Sequence, residues 1–291
     1  MSVDGDARGA QCPPVTLSGA GDKMADTNDN NRDYTRAHEL IGQGRKDLDE
    51  ALALLRELRH KVRNIRPRGS LNQEIWDCER ALGRAQRFYS QSGQDAWLDA
   101  NVFRGKRDGI FVEIGGYDGV TSSNALFFEI MRGWFGLLVE PSPALHAQAE
   151  RARRCPCLRL AVAGAEGEAA FLDVQAGLTQ MGGLVDSYDP KTRTAVETDP
   201  RHKGAVIRVP TRPLADILDE HGLTEIDYIS LDVEGGEMAV LSAFPFARYR
   251  ITAWTIENNS GGKEIPELMQ AKGYRLAEAL GVDDVYLRAE S

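Results

Sequence analysis

The side chains in this chain that could do chemistry are acids placed where apolar runs stop. Residues 111–119 read FVEIGGYDG, a short strand pattern that enters a turn holding Gly115, Gly116 and Gly119. Glycines let a backbone reach positive φ and come close to a ligand. Glu113 and Asp118 sit in this segment, and two acids would repel a pyrophosphate. The G-x-G-x-x-G spacing of a dinucleotide site is also missing. Acids there suit a ligand that carries a positive sulfonium and an amino group. Glu140 follows Gly116 by 24 residues, at the end of a second apolar run, LLVEP. A carboxylate at that place accepts hydrogen bonds from both hydroxyls of a ribose.

A second group of acids lies further along. Residues 226–237 read IDYISLDVEGGE, an apolar run that ends at Asp232 with Glu234 and Glu237 close behind. The run 253–256 ends in Glu257-Asn258-Asn259. Neighbouring strand ends would bring Asp232, Glu257 and Asn258 together, three oxygen donors of the kind that hold a hard divalent ion such as Mg2+. Such an ion lowers the pKa of a coordinated hydroxyl. No His or Lys lies within 231–237, so the general base is Asp232, Glu234 or Glu237, or the metal takes that part. The bland alternative is that these acids are satisfied by neighbouring donors, as buried polar groups usually are.

The elements that must position these residues follow from the spacing of apolar runs. Strand-like runs at 111–114, 137–139, 158–162, 206–209, 228–231 and 253–256 alternate with helical stretches. This predicts an α/β fold with a mostly parallel sheet covered on both faces. The last two strands, near 274–278 and 284–288, are joined by Gly281-Val282-Asp283. That link is too short for a parallel crossover, so this pair is antiparallel, and the expected sheet is seven-stranded, mostly parallel, with an antiparallel C-terminal strand. The stretch 177–202 is long enough to be a substrate lid.

Upstream, residues 1–33 are Gly-, Asp- and Asn-rich and read as a disordered tail. Over 34–88, Ile41, Leu48, Leu55 and Val62 recur every seven residues, with Ala51, Leu58 and Ile65 three later. That seam allows either a helical hairpin on the main domain, which spans 89–291, or a coiled coil that makes a homodimer. Ser70-Leu71-Asn72-Gln73 reads as the capping box of the second helix. The net charge of −9 disfavours a nucleic-acid partner. No apolar run is long enough for a membrane span and the first thirty residues lack a secretory core, so the cytoplasm is the expected location.

Residues 89–291 resemble the FkbM family of methyltransferases. The pieces that carry the resemblance are YSQSGQD at 89–95, FVEIGGYDG, Ser122-Ser123-Asn124, GWFG at 133–136 running into LLVEP, and LDVEGGE at 231–237. It implies a Rossmann-like class I methyltransferase fold and S-adenosylmethionine as cofactor. By the resemblance Gln91, Gln94 and Asp95 close over the cofactor and Ser123 and Asn124 lie at the first helix. The rest of the cofactor set is Glu113, Gly115, Gly116, Asp118, Gly119, Glu140, Pro141, Val162 and Asp232. Relatives act on hydroxyls of sugars, glycans and polyketide-like small molecules, so O-methylation is the expected reaction. N- or carboxyl-methylation, and a binding protein without catalysis, are the competing functions. The presence of Glu113, Asp118, Glu140 and Asp232 favours an enzyme.

Overall fold

A computed structural model describes residues 27–289. The chain divides into two compact units, Met1–Lys46 and Asp47–Ser291. Of the first, the described part is the leading stretch of helix α1 (Thr27–Lys61). Residues 27–33, expected in the tail, are therefore helical, and 1–26 lie outside the described residues.

In the second unit α1 is followed by α2 (Arg68–Ala81), α3 (Gln94–Leu98), β1 (Ile110–Ile114), α4 (Leu126–Arg132), β2 (Phe135–Val139) and α5 (Pro143–Ala152). Next come β3 (Cys157–Leu158), β4 (Ala161–Val162), β5 (Gly167–Ala176), β6 (Gly183–Leu184), α6 (Pro190–Thr198) and β7 (Lys203–Arg212). The chain finishes with α7 (Leu214–Glu220), β8 (Glu225–Leu231), α8 (Glu237–Ala243), β9 (Arg250–Glu257), α9 (Glu264–Ala271), β10 (Tyr274–Leu280) and β11 (Asp283–Arg288).

Seven strands form one sheet in the order β10-β11-β9-β8-β1-β2-β3. β3, β2, β1, β8 and β9 run parallel, and β11 is antiparallel to both β9 and β10. The expected Rossmann-like α/β architecture is what forms. Phe111, Val112, Ile114, Ile229, Leu231, Trp254 and Ile256 are all buried, because the central strands are covered on both faces and lose apolar surface to water on each. Strand order reverses between β1 and β8, since the chain first builds toward β3 and then returns to the other side. Ligand crevices of open parallel sheets lie at that point.

The run 158–162 is not one strand. The chain leaves the main sheet after Leu158 and joins a second sheet at Ala161, of order β4-β7-β5-β6. Its long strands β5 and β7 are antiparallel over Gly167–Ala176 and Lys203–Arg212, whereas the apolar pattern placed only 206–209 in a strand. Helix α2 begins at Arg68 after Pro67, with no side-chain cap. The 70–73 segment is therefore no capping box, and Gln73 reaches out to Ser92 Oγ and the Gln91 carbonyl instead.

From Asp47 onward α1 and α2 pair as a hairpin, with Arg56–Glu79 between the helices and Asp49–Arg84 reaching the turn after α2. The hairpin is tied to the end of the main sheet. Arg59 and Arg68 meet Glu278, Arg66 meets Asp284, and the Asn72 amide donates to the Ala279 carbonyl.

Candidate active site

The C-terminal ends of β1, β2, β8 and β9 open on a crevice. A narrow cavity of about 60 Å3 near β2 adjoins a wider one of about 500 Å3 between β8, β9 and α6. Gly115, Tyr117, Gln180, Asp232 and Glu234 border both.

Gly115 has φ +84, and a Cβ there would strike the Asp232 carbonyl, while one at Gly116 would strike the Leu138 side chain. The two glycines thus let β1 turn tightly over β2 and β8, which is a reason of chain crossing as much as of ligand approach. The turn presents the Tyr117 N–H to Glu140 Oε2 at 2.9 Å, and Ser142 N–H donates to Oε1 at 2.8 Å. Glu140 is 5% exposed. Burial pushes its carboxyl up to about 7 against those two donors, with Asp173 adding to the rise. Pro141, Ser142, Leu145, Leu160, Val162 and Phe171 line the narrow cavity beside it.

The two acids of the first loop, expected to face a cationic ligand, are engaged within the fold. Glu113 is buried and meets Arg153 at 2.6 Å, while accepting from Ser123 Oγ and the Asn124 N–H. Its charge is neutralised within the fold, although it borders the wider cavity. Asp118 turns back on its own loop, accepting from the N–H groups of Val120 and Thr121 and from the Thr121 hydroxyl. Gly119 packs against Ala149 of α5. Neither Asp118 nor Gly119 borders the narrow or the wide cavity. Asp95 is also withdrawn from the site. It is fully buried, bonded by Ser90 and the Tyr89 and Ala96 N–H groups, and burial raises it to about 6. It holds the loop that carries Gln91, Ser92 and Gln94 to the cavity wall.

On the other wall the acids do converge. One ligand oxygen from each of Asp232, Glu234 and Glu257 lies within 4.8 Å of the others. Burial, then the neighbouring carboxylates, pushes Asp232 well above its ordinary value, Glu234 up to about 8 and Glu257 up to about 9. Asn258 does not join them. Its amide donates to Asp284 Oδ2 and its carbonyl oxygen accepts from Ser260, so Glu234 stands where Asn258 was expected. Glu237 is committed as well. Its Oε1 accepts the N–H groups of Val233 and Gly235 ahead of α8, and it borders neither the narrow nor the wide cavity.

Several residues gave no signal in the sequence. Asp283 on β11 pairs in register with Glu257 and accepts from Gln94 Nε2, and it borders the wide cavity. Asp173 of β5 accepts from Ser142 Oγ inside the narrow one. The Gly-Val-Asp-Asp hairpin carries no sign that its first acid faces a crevice. The stretch 177–202 is partly ordered as β6 and α6. Thr179 Oγ1 lies 2.6 Å from Tyr117 Oη and Gln180 donates to Ser122 Oγ, so this segment meets the first loop across the cavity mouth. Asn124 Oδ1, on the wall, is buried without a donor, an acceptor for a ligand N–H or O–H.

A family model described as the methyltransferase FkbM domain matches residues 113–276. No curated protein sequence matches. Among solved structures, the chain is similar to methyltransferase FkbM from Methylobacillus flagellatus KT, at 11% identity over 83% of this chain and 60% of that one, TM-score 0.42. It is similar also to the N-terminal domain of human METTL16, at 10% identity over 67% and 68% of the two chains, TM-score 0.38. A third is the fibrillarin pre-rRNA processing protein of Methanococcus jannaschii, at 12% identity over 66% and 71%, TM-score 0.34. The chain thus spans 60% of the length of the Methylobacillus flagellatus protein.

Proposed function

This chain belongs to the FkbM methyltransferase family, and from that premise we propose that it moves a methyl group from S-adenosylmethionine to a hydroxyl oxygen of a sugar, glycan or polyketide-like small molecule. The observation that carries the reading is that Glu140 at the end of β2 and Asp232 at the end of β8 border one cavity.

The residues present fit the cofactor. Glu140 has one donor on each oxygen and keeps further lone pairs for two ribose hydroxyls. Leu145, Leu160, Val162 and Phe171 offer apolar walls for a flat base. The acids near Asp232 favour a positive centre over an anionic one. When bound, the cofactor supplies a sulfonium methyl carbon open to in-line displacement. Asp232, at the end of β8 and on the wall of both cavities, would take the acceptor's hydroxyl proton. The meeting of Thr179 and Gln180 with the first loop would hold water out while acceptor and methyl carbon are aligned.

Calorimetry with S-adenosylhomocysteine tests the cofactor site. Glu140→Ala should weaken binding at least tenfold, about 1.4 kcal/mol, and undiminished affinity would remove Glu140 from the site. Asp232→Asn should keep most of that affinity yet lose methyl transfer from labelled cofactor to a panel of polyhydroxylated acceptors.

A further inference from the structure

The methyl-transfer reading leaves one part of the crevice unexplained, the carboxylates on its far wall. Asp232 and Glu257 end adjacent parallel strands, and Glu234 comes over them from the loop before α8. Glu234 is 6% exposed, and its Oε2 has no hydrogen-bond donor. Its backbone takes φ +57, a left-handed value costly for a side chain with a Cβ. A buried carboxylate oxygen with no partner is a costly arrangement. Other acids nearby have found donors. Glu237 has two backbone N–H groups, Asp283 has Gln94, and Glu113 has Arg153. Among the described residues that border the wide cavity the one cationic side chain is Lys191, and it is exposed on α6.

Oxygen-only donors packed this closely, with one of them unpartnered and buried, match a hard divalent ion. Mg2+ and Mn2+ accept such sets and keep further positions for other oxygens. We propose that Asp232, Glu234 and Glu257 bind one divalent cation, Mg2+ or Mn2+, whose remaining positions receive hydroxyl oxygens of the acceptor. Ion binding stands on the carboxylates alone, while the placing of the acceptor rests on the methyltransferase reading above. The donor set differs from the one the sequence suggested, because Asn258 is held by Asp284 and Ser260.

The experiment titrates Mn2+ into the full-length, EDTA-treated protein and follows free ion by electron paramagnetic resonance, with S-adenosylhomocysteine calorimetry on the same samples. One Mn2+ per chain is expected. Glu234→Gln and Glu257→Gln should each weaken it at least tenfold, and Glu234→Asp, which keeps the charge, should weaken it less than Glu234→Gln. Retained S-adenosylhomocysteine affinity identifies variants that have folded. Wild-type protein that takes no Mn2+ overturns the ion site, and so does Glu234→Gln that binds as tightly as wild type. If Mn2+ fails to bind while S-adenosylhomocysteine binds, the ion falls and the methyltransferase reading stands. If Mn2+ binds and S-adenosylhomocysteine does not, the ion site stands and the methyltransferase reading falls.

Discussion

Arg153 is buried between two carboxylates, Glu113 on β1 and Glu129 on α4, at 2.6 and 2.5 Å. Removing the guanidinium would strand two buried acids, a change that costs about 3–5 kcal/mol. Arg153→Met should therefore lower the denaturant midpoint sharply, with Glu113→Gln in the same background restoring part of it. Glu140 is a buried acid of a different kind, with two N–H donors and no cation. Its folded value near 7 lies above the ordinary 4.5, so the folded state holds the proton more tightly than the unfolded chain. The stability this gives is fully present below about pH 4.5 and is lost as pH rises through 7. In ligand-free protein, Glu140→Gln should match wild type at about pH 4 and exceed it by roughly 3 kcal/mol above pH 7. Urea melts across that range check the sign. A constant difference would mean that Glu140 is not desolvated as described.

At the scale of elements, α2 lies outside the 113–276 family match, yet it shapes the site. Gly93 has φ +80, and any Cβ there would meet the Trp76 ring. Gln73 holds Ser92, and Gln94 beyond it reaches Asp283 in the cavity wall. Arg66 fixes Asp284, which in turn fixes Asn258. The helical hairpin thus braces the 90–95 loop and the start of β11 beside the wide cavity. Trp76→Ala should cost about 3–5 kcal/mol in stability. In folded Trp76→Ala protein S-adenosylhomocysteine affinity should fall as well, although Trp76 borders neither cavity. Equal loss of stability with unchanged affinity would make α2 a simple prop.

For the main domain as a whole, the second sheet and α6 bring the 177–202 stretch to the crevice. Thr179 and Gln180 touch the loop after β1, and Ser187 packs against Gly235 in the loop that carries Glu234. Cofactor binding should therefore protect amides of 178–184 and 117–122 from hydrogen exchange, while those of α7, which borders neither cavity, change little. Uniform protection would point to global stabilisation alone.

The α/β pattern, the antiparallel last strand, Glu140 and the acids at the ends of β8 and β9 were legible in the sequence. Each is a local signal, an apolar run of strand length stopped by glycine or acid, and strand ends of one parallel sheet share one edge. What each acid does was decided only by tertiary contacts. Glu113 looked free until Arg153 arrived from α5's end, 40 residues away. Asp118 and Glu237 were absorbed by backbone N–H groups of their own loops. Asn258 was claimed by a strand 26 residues on. Glu234 remained without a donor. A carboxylate's chemistry depends on which donors and charges lie within a few ångströms, and that is set by how distant segments pack, which no local pattern encodes.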